Sequence, residues 1–102
     1  MALTASEQAT LNRLQGEIDQ ANRRIAQHNQ AIARESVNVA RKVQEYNQVQ
    51  RRPGNQAPTL QSLQRSIDAH NRNIATYQQR IAGEQVTIAR KVQEFNRING
   101  KR

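Results

Sequence analysis

The sequence predicts an all-α protein: two long antiparallel helices, a helical hairpin or coiled coil, formed from an internal duplication. Three observations point there. Thr10 to Gln50 aligns with Thr59 to Asn99 at an offset of 49, with roughly half of the positions identical. Within each copy an apolar residue recurs every seven: Leu11, Ile18, Ile25, Ile32, Val39 and Tyr46 in the first copy. In the second copy these positions are Leu60, Ile67, Ile74, Ile81, Ile88 and Phe95. A seven-residue apolar repeat held over several heptads is the pattern of one long helix packed on another. Third, Pro53-Gly54 between the copies is a strong turn signal.

The elements follow in order. Thr4 or Ser6 offers an N-cap for the first helix, and repeat 1 spans about 6–50. Gln, Arg, Glu and Ala fill it with good helix formers, while Gly16 weakens it. The turn covers 51–58. Pro58 limits how early the second helix can begin, and Thr59 is its expected N-cap, with Ser62 three residues on. Repeat 2 then spans about 59–99, weakened at Gly83 and stopped at Gly100. Each helix of about forty residues is about 60 Å long. The whole of 1–102 reads as a single helical-hairpin domain.

Taking the recurring apolar position as a of a heptad, positions d, a, e and b form one side of the helical wheel, and f, c and g the other. Every Arg inside the helices falls at c, f or g. The inward side is apolar at its ends and polar in its middle, where d holds His28, Glu35 and Lys42 in copy one and His70, Tyr77, Glu84 and Lys91 in copy two. Folding at Pro53-Gly54 pairs residues whose numbers sum to about 109, so that Leu14 meets Phe95, His28 meets Ile81 and Ile32 meets Tyr77. One hairpin leaves part of the Ile/Ala stripe uncovered, and a second hairpin would cover it as a four-helix bundle. An isolated hairpin and a swapped dimer of opened hairpins are the alternatives.

Composition narrows the function. The chain has 16 Lys and Arg against 8 Asp and Glu, a net charge of +8, and no Cys or Trp. Absent Cys removes disulfides, thiolate zinc sites and thiol chemistry. No apolar run approaches the ~20 residues of a membrane span, and no secretory signal opens the chain. These features predict a cytoplasmic protein, with signal-independent export left open. No metal or cofactor motif is present: there is no phosphate loop and no HisGluXXHis. His28 and His70 stand too far apart to share a metal within one hairpin, and only a dimer could bring them together. Glu35 and Glu84 read as seam ion pairs with Lys42 and Arg80 near in sequence, not as a catalytic pair. The sequence therefore predicts no enzyme, no cofactor and no catalytic residues.

Association remains. Ile18, Ile25, Ile32, Val39, Ile67, Ile74, Ile81 and Ile88 are the candidates for self-association into a homodimer. Arg23, Arg34, Arg41, Lys42, Arg72, Arg80, Arg90 and Lys91 are the candidates for a basic face that docks on an acidic protein partner. Arg outnumbers Lys thirteen to three, which suits bidentate contact with carboxylate or phosphate. Both ends of the hairpin are basic, with Arg51 and Arg52 at the turn and Lys101 and Arg102 at the other end. Val37 and Val86 occupy f, on the polar side, at matching places in the two repeats. They mark either a shared partner contact or a local shift of helix phase. The function that emerges is a non-catalytic structural or adaptor protein. Its alternative is a nucleic-acid-binding bundle using the same Arg face. A membrane surface is disfavoured, because the apolar side lacks Trp and is interrupted by Asn, Gln and Glu.

Overall fold

The structure, a computed structural model, describes residues 2–101. Arg102, part of the basic end expected from sequence, lies outside them. The chain forms two helices, α1 (Ala5–Gln50, 46 residues) and α2 (Ala57–Asn99, 43 residues), with no strand among the described residues. No helix among them is long and apolar enough to cross a membrane.

The helix ends follow from local chemistry. Thr4 and Glu7 form a reciprocal capping box: the Glu7 N–H donates to the Thr4 hydroxyl and the Thr4 N–H to Glu7 Oε1, both at 3.0 Å. Of the two caps expected, Thr4 is the one used, and α1 begins at Ala5. The start of α2 corrects the expectation of Thr59. The helix begins at Ala57, with the Gln56 carbonyl accepting from the Leu60 N–H and the Asn55 side chain accepting from the Ala57 N–H. Pro58 sits in the first turn, where its missing N–H would have no helical partner anyway. The turn itself needs Gly54, whose φ is +93°.

Gly16 and Gly83 lie inside helices, and a Cβ at either would meet nothing within 4 Å. Gly16→Ala and Gly83→Ala are therefore each expected to stabilise the fold by about 1 kcal/mol. That raises Tm by roughly 4–8 °C per site in a chain of this size, read by thermal melting at 222 nm. Gly54→Ala is expected to lower it, because a Cβ at that φ costs about 1–2 kcal/mol.

Contacts divide the chain into two units, Met1–Gln27 with Arg80–Arg102, and His28–Gln79 around the turn. In the first, Leu11, Leu14 and Ile98 form the core cluster, with Leu3 and Phe95 packed against it. Ile18 and Ala21 are buried there too. In the second, Ala31, Val49, Leu63 and Ile67 are buried. In each unit the helix segments run antiparallel. Glu7 meets Lys101, Glu17 meets Lys91 and Arg24 meets Glu84 in the first; Glu35 meets His70 and His28 meets Tyr77 in the second. The first set lies within one residue of the expected pairing. The second lies one helical turn from it: His28 faces Tyr77, not Ile81, with ring centroids 5.8 Å apart.

Candidate docking surfaces

Two helices packed on each other hide only part of each circumference, and this corrects the expected wheel. Positions a and d are buried or half-buried, as expected, but every e and b residue from Gln15 to Val43 and from Gln64 to Val92 is exposed. The burial leans instead toward g, where Ala31 is buried and Glu17 and Asn38 are half-buried. On the same flank Glu17 and Arg24, both at g, reach across to Lys91 and Glu84, both at d.

The seam carboxylates take partners from the opposite helix, which corrects the same-helix neutralisation expected for Glu35. Glu35 Oε2 holds His70 Nδ1 at 2.5 Å. Glu84 receives two bonds from Arg24, Nε to Oε1 at 2.8 Å and the second guanidinium nitrogen to Oε2 at 3.0 Å. This bidentate pairing raises the Arg24 pKa further. Lys42 lies 3.9 Å from Glu45, one turn on in its own helix. Among the described residues no group of three or more metal-ligating side chains gathers.

Two carboxylates are held below their ordinary range. Glu7 is lowered first by the Thr4 backbone N–H and then by Lys101; Glu17 is lowered first by its hydrogen bond to Lys91 and then by Arg13. A carboxyl whose folded pKa is depressed stabilises the fold above its unfolded value near 4.5, and that stabilisation disappears as pH falls through the folded value. Tm is therefore expected to fall on acidification below about 4.5, and the fall should be shallower in Glu7→Gln with Glu17→Gln.

The predicted basic residues separate into two groups. Arg23, Arg34, Arg41, Arg72, Arg80 and Arg90 are exposed. Lys42 and Lys91 are half-buried at d, and Lys91 is engaged with Glu17. Arg41 and Lys42 nevertheless line an open depression of about 400 Å³ with Asn38, Glu45 and His70. The matching positions of repeat 2, Thr87, Arg90, Lys91 and Glu94, line another of about 270 Å³. The two differ electrostatically. Ser66 occupies the repeat-2 position that matches Glu17, so the pairing that neutralises Lys91 has no counterpart at Lys42.

The predicted self-association stripe also divides. Ile18 and Ile67 are buried inside their units, while Ile25, Ile32, Val39, Ile74, Ile81 and Ile88 are half-buried. Val37 and Val86 are exposed, at 50% and 52%. Val43 and Val92, read from sequence as inward, are exposed at 40% and 39%. All three Tyr and Phe side chains are half-buried. In comparison with known proteins, the chain matches no protein family, no curated protein and no solved structure.

Proposed function

We propose that the chain is a non-catalytic structural or adaptor protein that works through helix–helix self-association and by docking its basic face on an acidic partner. The observation that carries this reading is the doubling of outward features. Each repeat presents an exposed Arg beside a Lys-lined depression, and each presents a pair of exposed valines. The polar residues of the seam are engaged with one another, as in Glu35 with His70 and Glu84 with Arg24.

An acidic partner should favour the depression at Arg41, where no cross-helix carboxylate neutralises the lysine. Fluorescence anisotropy with a labelled oligoglutamate peptide tests this. Arg41→Ala is expected to weaken binding about two- to fivefold, the worth of one exposed ion pair, and Arg90→Ala to weaken it less. Equal effects, or no binding at low salt, would count against the acidic-partner reading.

The second reading, nucleic acid, is favoured by the exposed Arg residues on the outer faces of both helices. The aromatic side chains are half-buried, which leaves no exposed stacking platform. Labelled duplex DNA and RNA titrated across salt separate the two, since phosphate neutralisation gives a steep loss of affinity with salt.

A further inference from the structure

Both helices of the His28–Gln79 unit supply charge to one depression. Arg41, Lys42 and Glu45 line it from α1 together with Asn38, and His70 lines it from α2. Glu35 of α1 also holds His70, Oε2 to Nδ1 at 2.5 Å, and both side chains are half-buried. On its own helix the nearest charged residues are Asp68 and Arg72, both exposed and of opposite sign. They stand two positions away on either side, a spacing at which helix side chains do not face each other. A carboxylate only accepts, so Nδ1 keeps its proton and titration falls on Nε2. With His70 neutral, Arg41 and Lys42 are balanced by Glu35 and Glu45. With His70 protonated, the depression carries one net positive charge, and a second imidazole N–H becomes a donor. The other repeat supplies the contrast. Glu84, the equivalent of Glu35, takes its two bonds from Arg24, a cation at every ordinary pH. Ala21 stands at the repeat-1 equivalent of His70, and the depression lined by Thr87, Arg90, Lys91 and Glu94 has fixed charges.

We infer that His70 is a proton-sensitive third cation of this depression, and that an acidic partner docks there more tightly as His70 gains its proton. The inference rests on the acidic-partner half of the proposed function and adds its regulation. Charge selects the occupant: a carboxylate-bearing peptide segment gains from a site that passes from balanced to cationic. Histidine is the side chain that ordinarily changes charge between pH 5 and 8. Glu, Lys and Arg ordinarily keep theirs across pH 6 to 8. His70 is therefore the group at this depression that can tip its balance in that range. The coupling is reciprocal, so a bound carboxylate favours protonated His70 by the same factor that the proton favours binding.

Fluorescence anisotropy with a labelled oligoglutamate peptide, at low salt and at pH 8 and pH 6, tests the inference on the full chain. The wild-type chain is expected to bind about two- to fivefold more tightly at pH 6, the worth of one ion pair near a surface. His70→Gln keeps a hydrogen-bonding group beside Glu35 but takes up no proton. It should bind at pH 8 as wild type does and gain nothing at pH 6. His70→Lys supplies a fixed cation and should bind at both pH values as tightly as wild type does at pH 6. The second histidine, His28, lies against Tyr77, and His28→Gln should keep the full pH response. Helicity at 222 nm checks that each variant folds. Proton uptake covers the case in which a His70 variant does not: binding heats for the wild-type chain at pH 6.5, in buffers of different ionisation enthalpy, should show protons taken up with the peptide. Equal wild-type affinity at the two pH values, with Arg41→Ala still weakening binding, would overturn the proton link and leave the acidic-partner reading standing. A pH response that survives in folded His70→Gln would overturn the role of His70. No binding at either pH would overturn both the inference and the reading it rests on.

Discussion

Leu14→Ala is expected to remove about 2–5 kcal/mol of stability, the largest loss from any single truncation in this chain. Leu14 is 1% exposed and belongs to the cluster with Leu11 and Ile98, onto which Leu3 and Phe95 pack. The removed atoms lose their transfer energy, and the gap they leave closes only in part. A small domain has roughly 5–15 kcal/mol in total, so this one substitution takes a large share. Ile74→Ala, at a half-buried a position, should cost clearly less. Urea unfolding followed at 222 nm reads both, at one chain concentration because association shifts the apparent stability. A lower midpoint with unchanged slope is the expected form. Equal losses at the two sites would mean that the core is not concentrated at this cluster.

Much of the fold was legible because the pattern is local and periodic. The heptads locate both helices, Pro53-Gly54 locates the turn, and Thr4 is one of the two caps the sequence offers, the one the structure uses with Glu7 as its reciprocal partner. The start of α2 departs from the Thr59 expectation because Pro58 sits in the first turn, where its missing N–H costs nothing. The signal for the true start was Asn55, a side chain that accepts from a nearby backbone N–H. Register in the His28–Gln79 unit lies one turn from the expected one. Apolar spacing alone is satisfied equally by neighbouring registers, and the His70 contact with Glu35 belongs to a polar stretch that spacing does not rank.

The exposure of e and b, with Val43 and Val92 among them, departs from the sequence expectation for a different reason. A heptad says which residues share a side, not how much of that side one partner helix can cover. The wheel places e and b inward and f on the polar side, where Val37 and Val86 stand as exceptions. The missing signal was nonetheless in the residues: e, b and f carry no charge from 33 to 44 or from 82 to 93. The seam differs between the repeats. Ser66 is the repeat-2 equivalent of Glu17, Asn73 of Arg24, and Ala21 the repeat-1 equivalent of His70. The two repeats therefore hold their common Glu and Lys residues with unlike partners.

Ala21→Asp is the second large effect expected. Ala21 is at d with no exposed surface, so a carboxylate there would lose its water and gain no designed partner. An uncompensated buried charge costs about 3–5 kcal/mol, enough to leave the Met1–Gln27 and Arg80–Arg102 unit largely unfolded. Ala69→Asp makes the same chemical change on the polar side of α2, where the residue is exposed. It should cost no more than the difference in helix propensity, about 0.7 kcal/mol, offset in part by Arg65 and Arg72 one turn away on either side. The pair of variants thus separates burial from propensity, and equal losses would place d outside the core. Acid gives a second readout. Burial raises the pKa of the new carboxyl above its unfolded value, so its penalty is full at neutral pH and shrinks as pH falls through the raised value. Glu7 and Glu17 titrate in both chains, so what they lose on acidification cancels in the difference. The stability gap between Ala21→Asp and wild type should therefore narrow on acidification, whereas a purely steric defect at Ala21 would leave the loss the same at every pH.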